Sequence, residues 1–174
     1  PVNKKTLPDI RKRVGVVFQD PDDQLFCPTV FEDVAFGPLN MGCSPDEVRS
    51  RVARALEQVD LQGYENRSAF HLSGGEKKRV SLATVLSMEA DILAFDEPSS
   101  NLDPKSRRDL IRWLIQTQKT LLVATHDLDF AYETTGRVIV LNGGAIVGDG
   151  PVDKILRDES FLLQNHLELP LKFQ

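Results

Sequence analysis

No glycine in this sequence is followed by lysine. The common nucleotide cradle, G-x-x-x-x-G-K-S/T, needs a lysine after its second glycine. A loop of that kind is therefore not expected within these residues. No apolar run approaches the roughly 20 residues that cross a bilayer, so no membrane-spanning helix is expected. The first ten residues, PVNKKTLPDI, lack the apolar core of a signal peptide. They begin with proline rather than methionine, from which a processed product or a fragment is expected. Cysteine is scarce, and Cys27 and Cys43 form no metal-spaced cluster. They read as small apolar residues in a reducing compartment. Basic residues are outnumbered, 21 against 26 acidic ones, for a net charge of −5. That balance argues against nucleic acid as the main partner.

What is present suits one globular domain. The 174 residues are 41% hydrophobic and 27% charged, enough to bury a real core. Residues 14–18 (VGVVF) are apolar and β-branched, hence a strand. The polar, proline-broken stretch QDPDDQLFCPT that follows reads as a loop. Ser44, with Pro45 and Glu47, predicts a helix start with a capping box, and Val48, Val52, Leu56 and Val59 recur on one face. A helix is expected from about residue 76 to 88, and a strand over 92–95 ending in Asp96-Glu97-Pro98. Asp103 and Pro104 open another helix, with Leu110, Ile111, Leu114 and Ile115 as its buried stripe. Residues 120–125 (TLLVAT) read as a strand, followed by a helix from about residue 128. Two short strands around Gly143-Gly144 read as a hairpin, and a last short helix is expected near residue 151.

Apolar strands alternating with helices predict an α/β fold with a largely parallel sheet. The stretch from about 27 to 85 shows helices and loops without a convincing buried strand. It reads as a helical insertion in a sheet domain.

Four places carry chemistry. Asp96 and Glu97 end an apolar strand, where open α/β sheets place ligands. One carboxylate can hold Mg²⁺ while the other orients and deprotonates a water; a plain polar turn is the competing reading. His126 ends a second apolar strand, where it can meet a phosphate oxygen or cap a turn. His71 and His166 have no such context. Gln19 ends the first strand, with an amide that suits metal, water or phosphate. The run HLSGGEKKRVSLA places Ser73, Gly74 and Gly75 at a helix start, whose free N–H groups can hold an anion.

In this order the motifs resemble those of the nucleotide-binding subunit of ATP-binding cassette (ABC) transporters. LSGGE at 72–76 is similar to the family signature, ILAFDEP at 92–98 to the Walker B strand, SNLD at 100–103 to the D-loop. Gln19 matches the Q-loop and His126 the switch histidine. The match runs from about residue 10 to 158. The stretch VGVVFQDPDDQLFCPTVFEDVAFGPLNMG is similar to the ATPases of energy-coupling-factor importers, including the cobalt and nickel type.

The resemblance implies an incomplete P-loop NTPase-like sheet with a helical signature subdomain. Residues 1–26 and 89–158 would form the catalytic core, 27–88 the helical subdomain and 159–174 a tail. It implies ATP and Mg²⁺ as cofactors and a second ABC subunit bound head to tail. A transmembrane importer subunit would dock near residues 20–31; Leu25, Phe26 and Phe31 read there as apolar anchors or, equally, as core residues of the insertion. It implies a place on the cytoplasmic face of the membrane and a cargo that is a metal ion or a vitamin. By position, Asp96 would hold Mg²⁺, Glu97 act as general base, His126 meet the γ-phosphate, and Gln19 sense metal and water. Ser73, Gly74 and Gly75 would cradle the partner's ATP, with Glu76 and Asp103 also at the nucleotide. Glu76 stands where the family commonly has glutamine, and its charge is expected to weaken binding slightly. The family's Walker A loop would precede these residues. Without its strand, the chain alone is expected to be marginally stable, to leave apolar sheet faces uncovered and to lack activity. A soluble ABC ATPase of DNA maintenance or translation is the competing class, but there is neither a heptad run nor a second signature. A non-catalytic module is a third reading, against which Glu97 and His126 speak.

Overall fold

A computed structural model describes residues 2–174. The chain divides into two compact units, Pro1–Ser106 with Gln118–Ala124, and Arg107–Thr117 with Thr125–Gln174.

The first unit is built on three parallel strands, β1 (Val14–Val17), β2 (Ile92–Asp96) and β3 (Thr120–Ala124), in the order β1-β2-β3. Val17 aligns with Phe95, and Asp96 with Ala124, so the strands' C-terminal ends lie side by side. Alternation gives the sheet two unlike faces. Gly15, Val17, Leu93 and Phe95 are buried on one. On the other, Val16, Ile92 and Leu122 are 44%, 36% and 63% exposed, so β3 is apolar without being buried.

Four helices complete this unit: α1 (Leu7–Arg13), α2 (Val30–Asn40), α3 (Pro45–Gln58) and α4 (Gly74–Leu86). A capping box of Thr29 and Glu32 starts α2, a T-x-x-E signal in the sequence that the reading above did not use. Pro38 lies inside α2 and has no N–H to give the Val34 carbonyl. The buried Ser87 hydroxyl donates to that carbonyl instead, at 2.7 Å. Ser44 caps α3 as expected, its Oγ accepting from the Glu47 N–H. The predicted box does not close, because Glu47 accepts from Arg51 Nη2 at 2.7 Å instead. A charged partner one turn on outcompetes a neutral backbone donor. Val48, Val52, Ala55 and Leu56 form the buried face of α3. α4 packs on α2, α3 and β1 and is buried at Val80, Ser81, Leu82, Ala83, Val85 and Leu86. The helical segment and β1 therefore share one core.

The helix α5 (Pro104–Gln116) starts in the first unit and continues into the second. Ile111 and Leu114 are buried, but Ile115 is 61% exposed. At 100° per residue the buried stripe centres on Leu114 and leaves Ile115 at its edge. The second unit also holds α6 (Leu128–Thr134), the antiparallel strands β4 (Arg137–Asn142) and β5 (Ala145–Pro151), α7 (Val152–Ile155) and α8 (Glu159–Gln164). The hairpin turns at Gly143 and Gly144, both with positive φ, as a primed two-residue turn requires. Ala131, Val152, Leu156 and Leu162 form its core, with Leu128, Tyr132 and Phe161 against it. α8 was not expected; Asp158 caps it by accepting from the Phe161 N–H.

Candidate functional site

The signature segment becomes the first turn of α4. Ser73 is the N-cap, its Oγ accepting from the Glu76 N–H at 3.3 Å. Glu76 Oε2 reaches back and accepts from both the Ser73 N–H and Oγ–H, each at 2.8 Å. The other carboxylate oxygen accepts from the Tyr64 hydroxyl at 2.8 Å. Donation from Ser73, then from Tyr64, pulls the Glu76 carboxyl down to about 2. Its charge is thus held by its own helix start. The N–H groups of Gly74 and Gly75 stand in the turn where a helix supplies no acceptor of its own.

The two glycines differ. Among the described residues, a Cβ on Gly74 would meet no atom within 4 Å outside its own helix turn. A Cβ on Gly75 would collide with the Ser106 hydroxyl and lie 3.5 Å from Asp103 Oδ2. Asp103 caps α5, its Oδ1 accepting from the Lys105 and Ser106 N–H groups at 2.9 and 3.1 Å. The Ser106 hydroxyl donates to Oδ2, and these bonds, led by Ser106, hold the Asp103 carboxyl below its usual value. The fold thus seats Gly75 on the segment predicted as a D-loop.

Asp96 ends β2 and is exposed; Glu97 follows, half-buried, with buried Pro98 behind it. Glu97 has φ +40°, a left-handed conformation that costs a non-glycine residue about 1–3 kcal/mol. Two backbone bonds hold it there: its N–H donates to Ala124 O at 2.9 Å, and its carbonyl accepts from the Ser100 N–H at 3.2 Å. Asn101 also has positive φ. Strain of this kind gathers at sites that must aim a side chain.

Gln19 follows β1 and is exposed. Lys78, 5% exposed, donates from Nζ to Phe18 O at 2.9 Å and Gln19 O at 3.0 Å. Burial pushes its ammonium below the usual lysine value, against the pull of Asp20 and Asp96. Gln19, Asp20, Gly74, Lys78, Asn101 and Leu102 line one cleft of about 210 Å³. It brings together residues from the Q-loop, signature and D-loop matches. Sequence reasoning missed Lys78, Tyr64 and Ser106. Lysine in a polar run beside a glycine pair reads as solvated, and nothing local marks it as buried.

Beside the following loop lies an apolar groove of about 640 Å³, lined by Val16, Phe26, Phe36, Met41, Val85 and Met88 among others. Phe26 is 59% exposed and stacks edge-on with Phe36, ring centroids 5.0 Å apart. Of the three expected anchors only Phe26 is exposed: Leu25 is in the core and Phe31 is half-buried. Burial, then Asp33, pushes the Cys27 thiol up to about 11, which keeps it protonated.

His126 belongs to the second unit and is exposed, two residues past the end of β3. Next to it Asp127 caps α6, accepting from the Phe130 N–H at 2.8 Å. Arg107 Nη2 donates to the other Asp127 oxygen at 3.2 Å. Among the described residues no group of three or more His, Cys, Asp or Glu could hold a metal alone.

A family model described as "ABC transporter" matches residues 1–100. The chain belongs to the ABC transporter family. An ABC transporter ATP-binding protein of Geobacter sulfurreducens is 52% identical over all of this chain, which spans 70% of it. The energy-coupling factor transporter ATP-binding protein EcfA of Methanothermobacter thermautotrophicus is 47% identical over 97% of this chain and 55% of its own length. Among solved structures, CbiO1 of Clostridium perfringens, described as part of the ABC transporter complex CbiONQ, superposes with a TM-score of 0.82. It is 34% identical, over 93% of this chain and 66% of that one. This ABC chain thus spans 55% to 70% of the length of these proteins. Its parallel sheet with flanking helices is the ABC ATPase fold. A second solved structure, the ATP-binding cassette MJ0796, described as a dimeric post-hydrolysis state bound to ADP and Pi, superposes with a TM-score of 0.73 and is 28% identical over 87% of this chain and 68% of that one.

Proposed function

We propose that the chain comes from the ATP-hydrolysing subunit of an energy-coupling-factor type importer. The observation that carries this reading is the single cleft shared by Gln19, Gly74 and residues 100–102. Relatives that include an energy-coupling factor protein and CbiO1 support the subtype. The cargo is a metal ion, such as cobalt or nickel, or a vitamin.

The donors fit Mg²⁺. Asp96 offers a carboxylate and Gln19 an amide oxygen, both hard oxygen ligands. They are too few for an all-protein cage, which suits a metal held mainly by nucleotide phosphates and water. Held by Asp96 and Gln19, Mg²⁺ would supply neutralisation of the charge that develops in phosphoryl transfer. The rest of the work belongs to the chain. Glu97, aimed by its strained turn, takes the proton from the attacking water. His126 meets the γ-phosphate. In a head-to-tail dimer, Gly74 and Gly75 turn their N–H groups to the partner's nucleotide. Among the described residues no neighbour outside its own helix turn lies within 4 Å of a Cβ at position 74, so the space beside it suits an outside ligand. Ser73 orients this turn, and Glu76 and Asp103 stay close to the nucleotide through the caps they form. The subunit lies on the cytoplasmic face of the membrane. The helical segment 27–88 forms the signature subdomain, and its apolar groove, with Phe26 and Phe36 at the rim, receives the transmembrane subunit.

Docking is testable in the full-length subunit with Phe26→Asp and a pull-down of the membrane complex. Loss of the membrane subunit with unchanged melting is expected. Unchanged assembly, with the fold intact, contradicts the docking surface.

A further inference from the structure

We propose that Lys78 is a positioning residue for Gln19, fastening the loop 18–24 to α4 so that loop and helix move as one body. The inference rests on the role of Gln19 proposed above.

The loop is held to α4 at three points. Lys78 Nζ donates to two successive carbonyls, Phe18 O at 2.9 Å and Gln19 O at 3.0 Å. Gln24 Nε2 donates to Ser81 O at 2.9 Å and Thr84 Oγ1 at 2.7 Å, while its Oε1 accepts from the Phe18 N–H at 3.0 Å. Lys77 Nζ meets Asp22 Oδ1 at 2.6 Å. That last pair lies at the rim, with the Asp22 side chain 64% exposed, and such pairs contribute little. Lys78 differs. At 5% exposure its ammonium has left water and must be compensated inside the protein. Removing it would leave two carbonyls of the loop's first turn short of a donor.

The position of Lys78 gives this contact a consequence. It lies just over one turn into the helix whose first residues, Ser73 to Gly75, face the partner's nucleotide in the proposed dimer. The carbonyl it holds belongs to Gln19, which serves the chain's own nucleotide. A shift at the start of α4 is thereby carried to the Gln19 amide. The Lys78 ammonium is committed to these two carbonyls and acts through the loop.

A double-mutant cycle tests this in the full-length protein, reading kcat and KM for ATP. Lys78→Met is expected to lower kcat at least about tenfold, because it removes two hydrogen bonds from a charged donor. With Gln19→Ala already present, the same change should cost less than about twofold, because contacting groups couple. Lys78→Arg, which keeps the cation, should recover part of the loss. Equal losses in both backgrounds overturn the proposal and leave the role of Gln19 standing. Normal turnover of Gln19→Ala alone overturns both. If Lys78→Met does not fold, Gln24→Met, which cuts the second fastening, takes its place in the cycle. An additive loss there overturns the proposal as well.

Discussion

Replacing Glu76 with glutamine removes a charge from the start of α4 while keeping its size. In the native protein that carboxylate accepts from the Ser73 N–H, the Ser73 hydroxyl and the Tyr64 hydroxyl. These donors, led by Ser73, pull its pKa from 4.5 to about 2. Fully realised, such a shift is worth about 3 kcal/mol. The site is half-exposed, so screening reduces it to about 1–2 kcal/mol, the size of a lost helix cap. For a domain of this length that is roughly 3–6 °C in Tm. The folded-state pKa is depressed, so the stabilisation is complete above about pH 4.5 and fades as pH falls toward about 2. Thermal melts of Glu76→Gln and the parent at pH 7 and pH 3 should show a gap at pH 7 that narrows at pH 3. A gap unchanged by pH, or none at pH 7, refutes the assignment of Glu76 as a charged cap.

Two further changes discriminate in other ways. Gly75→Ala forces a methyl group against Ser106 and should destabilise by about 1–3 kcal/mol, whereas Gly74→Ala should melt like the parent yet lose ATP-driven dimerisation, measured by light scattering. Asp127→Ala removes the α6 cap and an acceptor of Arg107; denaturant titration should show a loss of about 1–2 kcal/mol.

Much of this was legible in the sequence because it depends on local signals. Ser44 and Asp103 announce their helix starts, Gly143-Gly144 its hairpin, and the apolar runs at 14–18, 92–95 and 120–125 their strands. Those runs belong to a parallel sheet, whose strands read as continuous rather than alternating. The misses are of two kinds. α8 is short and rests on one Asp158 cap, too weak a periodic signal. The others are long-range: Lys78 reaches back 59 residues to Gln19, and Ser106 fills the space that makes Gly75 necessary. Spacing along the chain cannot report a neighbour brought in by folding. For the same reason Leu25 read equally as an anchor or as core; folding buries it.

Hydrolysis by a Glu97→Gln variant tests the central claim most directly. In the full-length protein this change leaves MgATP binding intact and replaces the proposed general base with an amide. Loss of such a base typically costs about 10²- to 10⁴-fold. The account predicts a turnover reduced to that degree, with ATP retained and the dimer held closed. Turnover near that of the parent, with ATP bound equally well, would contradict it.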